Sequence, residues 1–295
     1  MKCRGLVGWV SGIALVAASV TQADPTVLWV RTHAAGGTSI YFGGAVKDHQ
    51  FYTGQLTWGP QAWDNAGNMV GGYSNNVTAK CSVPVGSYVF FTHAVDPGGG
   101  VFRINSDWQT DLVGPVYVAG IKLESLATDG THLFSNDDND RDTICKYEIN
   151  NSVGSFTLTP LMTATCDVTR ICGISYHDGK LYAASSTTTT NVVEVDANTG
   201  VSTNLFALPP ITAKTYFQAV RSGNRIYVVG TGTAYQLFVY ETHGTSWTAV
   251  GSYNLGLGPL YGISDVDEDC VWVTGGQKIA YVRLEPKKGS TVVEF

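Results

Sequence analysis

An all-β chain built from six copies of one four-stranded unit is the fold class this sequence predicts, and three observations predict it. Charged residues fill only 14% of the 295 positions, against about 25% in an average soluble domain. Glycine is over-represented at 34 residues and methionine scarce at 3, while threonine, valine and tyrosine are frequent. That composition suits strands and tight turns rather than helical bundles. Third, one short motif recurs at a spacing near 45 residues. A hydrophobic content of 44% supplies a core and argues against disorder.

The motif is a tight turn, a strand carrying an aromatic, a loop and a further strand. It occurs as Asp129-Gly130-Thr131-His132-Leu133-Phe134 and as Asp178-Gly179-Lys180-Leu181-Tyr182. It recurs as Ser222-Gly223-Asn224-Arg225-Ile226-Tyr227 and as Asp267-Glu268-Asp269-Cys270-Val271-Trp272. The anchors Phe134, Tyr182, Tyr227 and Trp272 are 48, 45 and 45 residues apart, and Phe90 precedes them by 44. A sixth copy is read at Val27-Leu28-Trp29-Val30-Arg31-Thr32-His33-Ala34, with Trp29 as its anchor. Units of this length with about four short strands predict a six-bladed β-propeller of four-stranded antiparallel blades. One small sheet cannot bury both of its faces, so each blade completes its core on its neighbours. The aromatic anchors are therefore read as residues packed between blades.

The fourth copy shows the order of strands most clearly. Residues 170–177 form the inner strand, 181–185 the second, 192–196 the third and 203–208 the outer one, with Asp196-Ala197-Asn198-Thr199-Gly200 turning between the last two. The first copy is atypical, because no inner strand precedes Val27 and extra residues separate Trp29 from Phe90. Closure of the ring is left open between the 291–295 segment as outer strand of the sixth blade and as completion of the first.

The Asp178-to-Tyr182 turn and strand, followed by Val193-Glu194-Val195-Asp196-Ala197-Asn198-Thr199-Gly200, resembles blades of the six-bladed propeller superfamily, with quinoprotein-like and gluconolactonase-like repeats. The resemblance implies the architecture alone. The Ser-x-Asp-x-Gly-x-x-Trp box of sialidases and a Tyr-Trp-Thr-Asp box are absent from the sequence, and Trp-Asp does not recur as a repeat ending.

Residues 1–23 read as a secretory leader: Lys2 and Arg4 open it, Leu6 to Val20 is apolar, and Thr21-Gln22-Ala23 ends in a small residue. Residues 24–295 are then a single propeller domain in a secreted or extracytoplasmic setting. The apolar run is short for a membrane span. A net charge of −6 gives no reason to expect nucleic acid as a partner. Five cysteines follow the leader (Cys81, Cys145, Cys166, Cys172 and Cys270), with no zinc-type spacing among them. A bridge is expected, if one forms, from Cys166 to Cys172 or Cys145, leaving Cys270 as a buried thiol. Asn76-Val77-Thr78 and Asn150-Asn151-Ser152 are glycosylation sequons.

In a propeller the loops from second to third strand share one end with the entries to the inner strands, and this collects scattered residues. Arg31, His33 and His93 are the candidates for acid–base chemistry, since an imidazole beside a carboxylate can exchange protons near neutrality. His33 and His93, with Asp137, Asp138 and Asp140, are the candidate ligands for a divalent cation. Imidazoles favour zinc, and the acidic run from Asn136 to Asp142 offers oxygens to calcium. The competing structural reading has each histidine capping a strand end within its own blade. Glu124, Arg170 and Gln218 stand at entries of inner strands. Trp58, Trp63, Asn65 and Tyr73 lie in an aromatic, amide-rich stretch with almost no charge, the chemistry that stacks on sugar rings and reads their hydroxyls. The same aromatics would equally plug the seam of an incomplete blade. The function expected is a binding module for a glycan or an extracellular protein, and the alternative is a metal-assisted hydrolase or lyase.

Overall fold

The computed structural model describes residues 25–32, 41–55, 59–72, 78–93, 99–105, 112–140, 142–166, 170–185, 191–208, 217–230, 236–267 and 269–284. Every regular element among them is a strand, and the strands form six four-stranded antiparallel sheets. β1 (Thr26–Thr32) opens the chain. Blade 1 follows as β2 (Tyr41–Lys47), β3 (Gln50–Gln55), β4 (Gln61–Asp64) and β5 (Met69–Gly72). Blade 2 is β6 (Ala79–Val85), β7 (Tyr88–His93), β8 (Gly100–Asn105) and β9 (Val113–Val116). Blade 3 is β10 (Leu123–Thr128), β11 (His132–Asp137), β12 (Thr143–Ser152) and β13 (Ser155–Thr165). Blade 4 is β14 (Ile171–His177), β15 (Lys180–Ser185), β16 (Asn191–Asp196) and β17 (Ser202–Ala207). Blade 5 is β18 (Phe217–Ser222), β19 (Arg225–Gly230), β20 (Gln236–His243) and β21 (Ser246–Asn254). Blade 6 takes β22 (Leu260–Ile263), β23 (Cys270–Gly275) and β24 (Lys278–Arg283) from the end of the chain and β1 from its start.

The six first strands touch one another in an unbroken ring, which makes them the inner strands of a propeller. Tight turns join first to second strands. At Asp178-Gly179 both residues take positive φ, 48° and 77°, as a two-residue hairpin turn of the primed type requires. The third residue of each second strand is aromatic and buried: Tyr52, Phe90, Phe134, Tyr182, Tyr227 and Trp272. Each seam between neighbouring blades holds one apolar cluster, so the core is six cores in a ring. No helix among the described residues is long and apolar enough to cross a membrane.

The first copy of the repeat differs from the sequence expectation. The Val27–Thr32 strand is not a second strand; β1 pairs antiparallel with β24 as the outermost strand of blade 6. The anchor of blade 1 is Tyr52, and the stretch read as an insertion supplies a complete four-stranded blade. The misreading has a physical source. Trp29 is an aromatic in an alternating strand and also packs in a seam, edge-on to Trp272 at 4.9 Å, so its local pattern matches that of a true anchor. The ring closes through β1. Residues 1–24 and 285–295 lie outside the described residues.

Cys81, Cys145, Cys166 and Cys270 are free thiols, as expected for buried Cys270. The Cys166–Cys145 bridge does not form. Cys145 belongs to the core between blades 2 and 3, and Cys166 to the core between blades 3 and 4, on opposite faces of one sheet. The Cys166 amide bonds the Asp142 carbonyl, three residues from Cys145. That offset is about 10 Å along a strand, beyond the roughly 7 Å reach of a disulfide between Cα atoms. The Cys172 side chain is outside the described residues.

Candidate functional site

Antiparallel order sends the second-to-third connections and the entries to the inner strands to one end of the blades, around the channel mouth. Lys80, Glu124 and Gln218 are second residues of their inner strands, and Arg170 directly precedes β14. Gln55 and His93 are the last residues of β3 and β7, Asn136 is next to last in β11, and Thr78 directly precedes β6.

A paired network spans three blades at this mouth. The Lys80 ammonium lies 3.4 Å from the Glu124 carboxylate, and both side chains are largely buried. The Asn136 amide donates to Glu124 at 3.3 Å and to the Ile171 carbonyl at 3.0 Å, and its oxygen accepts from the Ser125 amide at 3.0 Å and from the Ser125 hydroxyl. Fully buried Asn136 thus ties blade 3 to blade 4, and Lys80 ties blade 2 to blade 3. Across the channel, the Gln218 oxygen accepts from the Ile263 amide at 3.1 Å and lies against Gly43. A Cβ at Gly262 would overlap the Gly43 backbone, so blades 5, 6 and 1 meet here only because both positions are glycine.

Beside these satisfied groups stand four polar atoms that are buried and unpartnered. They are Gln55 Nε2, Thr78 Oγ1, His93 Nδ1 and Arg170 Nε. Ala79, next to Thr78, pairs directly with His93, which places those two side by side on blade 2. Burial lowers the basicity of His93 and keeps its imidazole neutral at physiological pH. Arg170 holds a left-handed φ of 63°, a conformation that costs a non-glycine residue about 1–3 kcal/mol and is concentrated at functional sites.

The other residues singled out from sequence are dispersed. His33, Trp58 and Tyr73 lie outside the described residues. Arg31, a candidate for acid–base chemistry, sits instead at the periphery. Its Nε donates to the Gly67 carbonyl at 2.9 Å, its Nη2 to Ala66 at 3.3 Å, and its guanidinium covers the Trp29 ring. Trp63, read as a ligand contact or as a seam plug, is buried in the seam between blades 6 and 1. The Asn65 carbonyl accepts from the Trp29 indole at 2.9 Å, and its side-chain oxygen is buried without a partner. In the acidic run, Asp137 accepts from the Lys122 and Asn139 amides, each at 2.9 Å, and Asp138 pairs with Lys122 at 3.0 Å. Asp140 faces Asp142 and raises the latter's carboxyl above the usual range through a shared hydrogen bond. Among the described residues no three His, Cys, Asp or Glu side chains converge to hold a metal ion.

Three thiols, those of Cys81, Cys145 and Cys166, are poorly disposed to nucleophilic chemistry. Burial, reinforced by the Glu124 charge, pushes Cys81 up to about 12, and burial pushes Cys166 up to about 11 and raises Cys145 as well. Sequence reasoning missed Lys80, Gln55 and Thr78 as members of the mouth. Alignment of the inner strands on their second residue would have placed Lys80 beside Glu124 and Gln218.

No family model and no curated protein matches the chain. Solved structures do. A chain of the mitotic checkpoint complex superposes with a TM-score of 0.63 at 9% identity, covering 97% of this chain and 100% of that one. The PQQ-bound aldose sugar dehydrogenase of Streptomyces coelicolor gives 0.65 at 13%, covering 88% and 98%. A streptogramin B lyase gives 0.54 at 11%, covering 87% and 97%. At such identities the likeness speaks for the fold alone. The chain is a six-bladed β-propeller.

Proposed function

We propose that this protein is an exported binding module whose partner, a glycan free or carried on an extracellular protein, docks at the channel mouth over blades 1 to 4. The observation that carries the reading is the group of buried, unpartnered polar atoms on Gln55, Thr78, His93 and Arg170. Each such atom costs about 1–3 kcal/mol in the free protein, and a ligand that supplies the missing bond recovers that cost. The group mixes amide and guanidinium donors, a hydroxyl and a neutral imidazole, and sugar hydroxyls both donate and accept.

Screening the secreted protein on a panel of immobilised glycans tests the reading. Retention should be saturable and should fall about tenfold or more in Gln55→Ala and Thr78→Val, with melting temperature unchanged or raised. Retention equal in both variants and the parent would refute this placement.

A second reading, a metal-assisted hydrolase or lyase, is favoured by one observation: a neutral His93 with an open Nδ1 is the form in which histidine binds metals. Stoichiometric zinc in the purified protein, lost in His93→Ala, would replace the first reading with this one.

A further inference from the structure

A second polar feature lies at the opposite end of the blades, where blades 2 and 3 meet at their outer strands. Arg103, on β8, is 1% exposed, yet no carboxylate among the described residues pairs with it. Its Nη2 donates to two backbone carbonyls of the β12–β13 hairpin, Ser152 at 2.5 Å and Ser155 at 3.0 Å. Its guanidinium lies over the Tyr88 ring, 4.0 Å from the centroid, with Phe156 further off at 5.8 Å. Its Nε is buried and has no partner.

The packing around this cation is not closed. A cavity of about 240 Å³ opens beside it, with Tyr88, Arg103, Ile104, Val113 and Val153 among its walls. Val153, at the hairpin tip, is 98% exposed and stands at the rim. Carbonyl dipoles and a ring face soften the burial of a positive charge without neutralising it, and an uncompensated buried charge is strongly unfavourable. Nη2 spends both of its hydrogens on the hairpin carbonyls, so Nε and Nη1 are the donors left for an anion, and a carboxylate oxygen accepts strongly from such an N–H. Apolar walls on the remaining sides select a ligand with an apolar body.

We propose that this cavity is a binding site for a small carboxylate with an apolar body, an oxygen received by the Arg103 guanidinium and the body held by Val113 and Val153. The site is separate from the channel mouth and independent of any reading of it. Its ligand leaves and enters past the Val153 hairpin.

Benzoate is the probe, titrated into the intact protein and followed by calorimetry and amide chemical shifts. Binding should be saturable at one per chain, should weaken with added salt, and should not be reproduced by benzyl alcohol, which has the ring without the charge. Arg103→Lys should abolish it, because an ammonium keeps the charge but lacks donors at the Nε and Nη1 positions. Val153→Glu provides a test that spares the fold. A negative charge at the exposed rim should weaken benzoate about tenfold, with little change in melting temperature. Absence of binding to the parent protein, or equal binding of benzyl alcohol, would overturn the assignment. Asp107 and Asp111 lie nearby in sequence, outside the described residues, and carry the same chemistry. If benzoate binds only after Asp107→Asn and Asp111→Asn, the chain's own carboxylates occupy Arg103 and the assignment to a free ligand fails.

Discussion

The seam between blades 6 and 1 and the seam between blades 4 and 5 are built on the same repeat position and held by different physics. In the first, Trp272 is fully buried and stacks on Phe51 at 4.9 Å, with Trp29 and Tyr281 against it at 4.9 and 5.0 Å. In the second, Tyr182 is equally buried, but its hydroxyl donates to Glu194 at 2.9 Å and accepts from Arg221. Arg221 also pairs with Glu194 at 3.5 Å and covers both the Tyr182 and Trp247 rings. The aromatic seam lies beside the blade where the first and last strands pair, and β1 is held there by a ladder to β24 and by side chains clasping the β4–β5 turn. Apolar contact gains free energy from burial without demanding hydrogen-bond geometry. The charged seam returns less, because its groups are desolvated before they pair.

Breaking the anchors measures this difference. Trp272→Ala should have the largest effect, lowering stability by about 3–5 kcal/mol in urea unfolding, since one large ring and its contacts with both blades are lost. Arg31→Ala should cost about 1–2 kcal/mol by removing the carbonyl clasp and the cover over Trp29, and should speed proteolysis near β1. Tyr182→Phe should cost about 0.5–1.5 kcal/mol, because the ring stays and Arg221 retains Glu194. A Tyr182→Phe loss as large as that of Trp272→Ala would erase the contrast between the two seams.

The smallest effect concerns pH and sharpens a comparison within blade 2. His93 has a depressed basicity in the folded protein, so the unfolded chain binds its proton more readily. Its contribution to stability is complete above the unfolded imidazole value of about 6.5 and is lost as pH falls through the lower folded value. His93→Gln should flatten this part of the stability-against-pH curve, followed by thermal melting from neutral to mildly acid pH. An unchanged slope would place the proton uptake elsewhere.

Much of the fold was legible because a propeller repeats its local chemistry. The Asp-Gly turns, the alternating strands and the aromatic third residue announce themselves within each unit, and the blade 4 boundaries agree with the observed strands to within a residue or two. Trp29 shows the limit. Its strand looks like a second strand in isolation, and only pairing with β24, some 250 positions away, reveals it as an outer one. Glu124, Arg170 and Gln218 were placed correctly at the mouth because inner-strand entries follow from topology. Lys80 holds the same position in blade 2 as Glu124 in blade 3 and was overlooked, whereas nothing local distinguishes Thr78 from a solvated residue.

By itself, the sequence determined the all-β class, the number of blades, the turns and the identity of most anchors. These follow from backbone preference and from alternation with a period of two, which act over a few residues. Tertiary structure alone decided that β1 closes blade 6, that Cys145 and Cys166 face opposite cores, and that Trp63 is interior. It also decided that Glu124 receives both Lys80 and Asn136, while Arg103 is buried beside a cavity without a carboxylate among the described residues. Alternation tells which side of a strand is buried. Only the packing of one blade on the next tells what it is buried against.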